Sequence, residues 1–108
     1  MFIGKVVGTV VSTIKDEKVA GLKLQIVQEV DEKNALRNKY VVAADTIGAG
    51  QGDLVLYAQG SSARQTTLTD GRPIDAAIFA VIDSWDVDER LIYQKEGLDH
   101  AGLDPAEV

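Results

Sequence analysis

Two glycine-rich stretches and one acidic run hold the residues whose types and spacing bear on chemistry. Gly48-Ala49-Gly50-Gln51-Gly52 is the first, since glycines let backbone amides approach a phosphate. A dinucleotide fingerprint would need glycine where Asp53 stands and a helix after it. Strand-like Leu54-Val55-Leu56 follows instead, and no Gly-Lys-Ser/Thr is present. The loop is read as structural. Gly60-Ser61-Ser62-Ala63-Arg64 approaches the G-x-S-x-G nucleophile elbow, but Arg64 takes the place of the last glycine. A serine nucleophile also needs a base, and the single histidine, His100, stands beside Asp99 in an acidic terminal stretch. Asp83, Asp86, Asp88 and Glu89 supply oxygen ligands for a hard cation without EF-hand spacing or its glycine. They read as a solvated loop. Asp75 and Asp83 flank an apolar segment, with Arg64 and Arg72 as candidate partners that sequence alone does not pair. No catalytic, cofactor-binding or metal-binding set emerges.

The elements that position these residues are strands. Residues 2–14 are rich in Val, Ile and Thr, with Gly4 and Gly8 in register with Phe2, Val6, Val10 and Ile14. That pattern predicts one long strand, bent where glycine relieves crowding over a tight interior. Its other parity mixes Ile3, Val7 and Val11 with Lys5, Thr9 and Thr13, so the outward face also wants cover. Residues 22–30 place Leu22, Leu24, Ile26 and Val30 on one face and Lys23, Gln25 and Glu29 on a face expected to be wet. A polar connection over 31–39 leads to a third strand at 40–47 and, past the glycine loop, a fourth at 53–59.

Ser62 and Gln65 have the spacing of a capping box, predicting a short helix. Asp70-Gly71-Arg72-Pro73 is a turn signal. A long strand over 74–85, apolar on both parities and so covered on two sides, and a short one over 90–94 complete the set. The expected fold is all-β: a small five-stranded OB-like Greek-key barrel with one short helix between strands four and five. It spans residues 1–95, and 96–108 form an acidic tail expected to be mobile.

The chain of 108 residues fits one domain. Its formal net charge of −6 opposes the attraction that dominates binding to nucleic acid or anionic lipid. OB barrels also bind single strands by stacking bases on aromatics along a basic groove. Phe2, Tyr40, Tyr57, Phe79, Trp85 and Tyr93 instead sit mostly within apolar strand patterns, so packing is the expected role. A single-strand-binding module is the alternative function. The absence of cysteine fits a reducing compartment. The N-terminus has no signal-peptide pattern and no apolar run is long enough to span a bilayer, so a cytoplasmic location is expected.

Several segments, in order, resemble the EutN/CcmL family: GKVVGTVVST, Gly21 with Lys23-Leu24, VAADTIGAG with GDLVL, GSSAR, and PIDAAI with AVID. The similarity runs over roughly residues 1–95. It implies an OB-like barrel that forms homopentamers at the vertices of a bacterial microcompartment shell, beside hexameric shell proteins, with no enzymatic activity, no cofactor, and neither nucleic acid nor membrane as partner. Carried over by motif, Gly48, Ala49 and Gly50, with Gly60, Ser61, Ser62, Ala63 and Arg64, would shape subunit junctions or contacts with neighbouring hexamers. Arg64 would be the key polar contact. The family pattern departs after Lys95, where many relatives stop.

Overall fold

The computed structural model describes residues 1–95; the tail expected over 96–108 lies outside the described residues. Five strands form a closed barrel: β1 (Phe2–Val10), β2 (Lys23–Val30), β3 (Leu36–Asp45), β4 (Leu54–Gln59) and β5 (Ala76–Val81). The order around it is β1-β2-β3-β5-β4, closed by pairing of β4 with β1. Every pair is antiparallel except β3 with β5. This is the expected OB-like arrangement, and the expected short helix is a 3-10 turn, Gly60–Arg64. Outside the barrel, β6 (Ser84–Val87) and β7 (Arg90–Gln94) form a two-stranded hairpin.

The interior is narrow and is filled by small and branched residues around one large ring. Val6, Val27, Ala43, Val55, Tyr57 and Ile78 are all buried there. Phe2 stacks on Tyr57 with ring centroids 5.3 Å apart, closing one end of the barrel. The space for the Tyr57 ring exists because residue 4 has no side chain. A Cβ at Gly4 would overlap Val27 Cγ1 and stand 2.8 Å from Tyr57 Cε1. Burial raises the Tyr57 phenol above its ordinary value of 10.0, and the Glu29 carboxylate adds to the effect.

Several elements differ from the sequence expectation, each for a local reason. β1 stops at Val10, and a bulge near Val7 shifts its pairing with β2. Gly4 and Val6 face inward, but beyond the bulge Gly8 lies against Ile26 on the outside, while Thr9, itself exposed, is on the side of Gln25 and bonds to it. One extra residue inverts the parity of everything after it. The faces of β2 are reversed up to its own irregularity between Gln28 and Val30: Gln25 and Val27 are buried, while Leu24 and Ile26 are only half-buried, and Val30 beyond it is buried as expected. β3 begins at Leu36 rather than 40, because the Asp31 carboxylate accepts from the amides of Lys33 and Ala35 and tightens the turn. Those bonds hold the Asp31 carboxyl below its usual range.

The expected strand over 74–85 breaks after Val81, and Ser84–Val87 pairs with β7 instead. The two-sided burial read from its pattern is real. Ala76 and Ile78 enter the barrel core, whereas Ala77 joins Ala44, Ala63 and Ile74 in a second cluster on the outside. Trp85 belongs to the hairpin, its ring tilted against Tyr93 at 5.4 Å between centroids, and it donates from Nε1 to the Glu32 carbonyl at 2.8 Å.

Two outcomes follow from the filled interior. Gly4→Ala is expected to destabilise the fold by about 1–3 kcal/mol, as overpacking does. Gly8→Ala, whose Cβ would meet nothing closer than 3.4 Å, should cost less than half as much; urea unfolding of both variants compares them. Because the folded Tyr57 phenol resists ionisation, stability should hold up to about pH 10 and fall above it, where the unfolded phenol ionises first. Tyr57→Phe should flatten that alkaline decline, read from unfolding midpoints between pH 8 and 11.

Candidate subunit interface

The glycine loop after β3 is locked to the barrel interior by a buried polar network. Asp45 is 5% exposed, and its Oδ1 accepts from the amides of Ile47, Gly48 and Ala49 at 3.1, 2.9 and 3.2 Å. Gln25 supplies the second anchor: Nε2 donates to the Ala49 carbonyl at 2.9 Å and to Asp45 Oδ2 at 3.3 Å. Its Oε1 accepts from the Thr9 hydroxyl at 2.9 Å. Ala49 is fully buried against the core, and Gly48 takes a left-handed φ of 85° that lets the chain turn under Asp45. The far side is tied down by Gly50 N donating to Asp53 Oδ2, and by Gly52 N and the Val6 carbonyl at 2.8 Å. These amides are committed within the chain, so this geometry does not form a phosphate cradle.

The second stretch, Gly60–Arg64, lies at the opposite end of β4, so the strand separates the two motifs by roughly 20 Å. No side chain caps this turn, so the Ser62–Gln65 capping box does not form; Gln65 N donates to the Ser62 carbonyl instead. Ala63 is buried in the outer cluster, and its carbonyl accepts from the Thr69 hydroxyl at 2.7 Å. Ser61 and Ser62 are exposed. Arg64 is half-buried and donates one N–H to the Ile74 carbonyl at 2.8 Å. The rest of its guanidinium has no partner among the described residues. Arg72 binds the Ala20 carbonyl, so neither arginine pairs with Asp75 or Asp83. Among the described residues no three acidic or histidine side chains converge on a cation site. His100 lies outside them.

The sequence reading missed an apolar stripe on the outside of β2 and β3. Ile26 faces Val42 and Gln28 faces Tyr40 across the pair. Val42 is 49% exposed and Tyr40 54% exposed, beside half-buried Leu24 and Ile26. Adjoining strands place Val10 opposite Leu24. The period-2 signal for this stripe is present in the sequence, but it was read as the core face. A free subunit therefore presents to water the residues its pattern marks as buried.

Comparison with known proteins places this architecture. A family model described as ethanolamine utilisation protein EutN/carboxysome matches residues 1–83. The carboxysome shell vertex protein CcmL of Nostoc sp. is 52% identical over 97 residues, covering 89% of this chain and 96% of that one. The bacterial microcompartment shell vertex protein GrpN of Rhodospirillum rubrum is 46% identical over 84 residues, 78% of this chain and 94% of the relative. Among solved structures, Gloeobacter violaceus CcmL superposes with a TM-score of 0.86 at 43% identity, covering 89% of this chain and 99% of that chain. The structure of the Rhodospirillum rubrum GrpN pentameric microcompartment shell protein gives 0.73 at 42% identity, over 81% and 100%.

The network centred on Gln25 makes a sharp expectation. Gln25→Ala leaves the buried Ala49 carbonyl and Asp45 Oδ2 without this donor, and should cost about 2–4 kcal/mol. Amide exchange in residues 46–52 should accelerate more than exchange in β4, measured by hydrogen–deuterium exchange.

Proposed function

The chain belongs to the EutN/CcmL family of microcompartment shell proteins, and we propose that five copies assemble into the unit that caps a vertex of a polyhedral bacterial microcompartment. The observation that carries this reading is the exposed apolar stripe on β2 and β3, on a fold shared with proteins named for the shell vertex. A heterologous contact repeated around a closed ring lets each stripe be covered by a different surface of the next copy. The role is geometric: a sheet tiled by hexagonal units closes into a polyhedron only where five-fold units are inserted. Hexameric shell proteins are the neighbours this requires, and no bond is made or broken.

Within that reading, residues 1–95 are the shell-forming unit. Gly48, Ala49 and Gly50 hold one barrel end rigid, and Gly60 to Ala63 shape a junction beside Arg64. The unused donors of Arg64 make it the polar contact to a neighbouring subunit or hexamer, because a planar guanidinium binds a carboxylate or several carbonyls at once. No helix of the described residues is long and apolar enough to cross a membrane, and the unit belongs in the cytoplasm with the shell. Nucleic acid is disfavoured as a partner: Phe2 and Tyr57 are spent on the barrel core, and the net charge is −6.

Val42→Asp places a charge in the centre of the stripe and should convert the assembly into monomers that keep their fold, read by sedimentation velocity together with circular dichroism. An unchanged assembly would remove the stripe from the interface. Arg64→Ala should fold and weaken incorporation into shells co-expressed with hexameric subunits; incorporation equal to the parent would limit Arg64 to holding the Ile74 carbonyl.

A further inference from the structure

The barrel closes through short pairings that leave stretches of strand edge free, and among the described residues the longest in the barrel is on β3. This strand pairs with β2 from Leu36 to Asp45, but with β5 only through Ala44 and Asp45. On the side away from β2, the backbone of residues 36–41 meets no other strand among the described residues, and residues 36–40 are exposed. Six residues give an edge of about 20 Å. Such an edge is a template for another strand, and proteins that stay monomeric blunt or cover it.

The charges along this edge select what can pair with it. Residues 36–41 carry Arg37 and Lys39 and no carboxylate. Their acidic neighbours belong to the other side: Glu29, 3.8 Å from the Lys39 ammonium, is on β2, and Asp31, whose carboxyl Arg37 helps to hold down, is in the turn after it. Two copies of this edge laid together would set like charges opposite each other, which is destabilising. The edge therefore suits a strand of opposite sign. The two-stranded β6–β7 sheet has free edges of its own. β6 carries Asp86, exposed like Ser84, between Asp83 and Asp88, whereas β7 starts at Arg90 and runs into Lys95. Of these two edges, β6 has the complementary charge. The Trp85 bond to the Glu32 carbonyl fastens the hairpin to its own subunit, so β6 is presented as a fixed strand.

We propose that β6 of one copy adds to the free edge of β3 in the next, extending the sheet across the junction between subunits. The inference rests on the self-assembly reading above and supplies what the apolar stripe alone leaves open, the segment of the neighbour that covers it. Tyr40 and Val42 stand on β3 itself, so a strand added to its edge brings the neighbour's hairpin against them. The contact is heterologous, since each copy gives β6 at one junction and β3 at the other, and contacts of that kind close into rings. Main-chain hydrogen bonds supply the affinity, and Arg37 and Lys39 against Asp86 decide which strand is accepted.

The test uses the full chain. Asp86→Lys sets a cation against Arg37 and Lys39 and should raise amide exchange over residues 36–41 about tenfold. Glu17→Lys, the same charge change in the turn between β1 and β2, should leave those amides as in the parent. Exchange unchanged by Asp86→Lys overturns the proposal, and so does an equal rise in both variants. Because the chain has no cysteine, Lys39→Cys with Asp86→Cys then shows whose strand lies on the edge, using a short bismaleimide whose reach tolerates a slip of one or two residues in register. A ladder of covalent oligomers is expected, at least tenfold stronger than for Lys39→Cys with Gln94→Cys on β7. A monomer-sized product alone, no product, or equal ladders from the two pairs overturns the proposal. Native mass of the same samples reads assembly separately: an intact assembly without the ladder refutes the strand pairing and leaves the vertex reading standing, whereas a monomer refutes both.

Discussion

The Gln25 side chain is the contact on which the barrel end that carries the glycine loop depends. A glutamine placed inside an apolar barrel must satisfy both its amide N–H groups and its carbonyl there, since water is excluded. It does so by joining Thr9 on β1, Asp45 on β3 and Ala49 in the glycine loop. Three segments far apart in sequence are thereby fixed to one side chain. Asp45 extends the constraint by collecting three successive amides, which gives the loop one conformation. Rigidity of this kind matters for a subunit that must meet its neighbours at a fixed angle, because small errors in angle add around a closed ring.

The same network explains the outer surface. Turning Gln25 inward sends its neighbours Leu24 and Ile26 outward, and the pairing register then brings Val42 and Tyr40 beside them. The polar interior and the apolar exterior of β2 and β3 are two consequences of one register. An isolated subunit is left with exposed apolar area, and covering it is the driving force for self-association. The interior is a packed core, with the Tyr57 ring occupying the space over Gly4.

Much of this was legible in the sequence. The strand alternation, the glycine loop and the turn signals located all five barrel strands and the short helical turn, and the family motifs identified the shell proteins. What failed was parity. Hydrophobic alternation assumes that apolar residues face the core, and in β2 the register turns Leu24 and Ile26 outward instead. The bulge near Val7 has no residue signature of its own, so Gly8 and Val10 were assigned the wrong face. Gln25 looked like a wet residue because its three partners lie 16 to 24 positions away. The break after Val81 was hidden by an unbroken run of β-formers, and it is the pairing of Trp85 with Tyr93 that separates the hairpin. Of the candidate interface residues, Ala49 and Arg64 have contacts the motifs did not specify: Ala49 through Gln25, Arg64 through the Ile74 carbonyl.

Native mass spectrometry of the intact chain, repeated over a range of concentrations, tests the central claim most directly. A five-subunit mass that persists on dilution is the predicted result. A stable monomer would contradict the account by showing that the apolar stripe needs no cover, and a six-subunit mass would contradict the five-fold closure on which the vertex role rests.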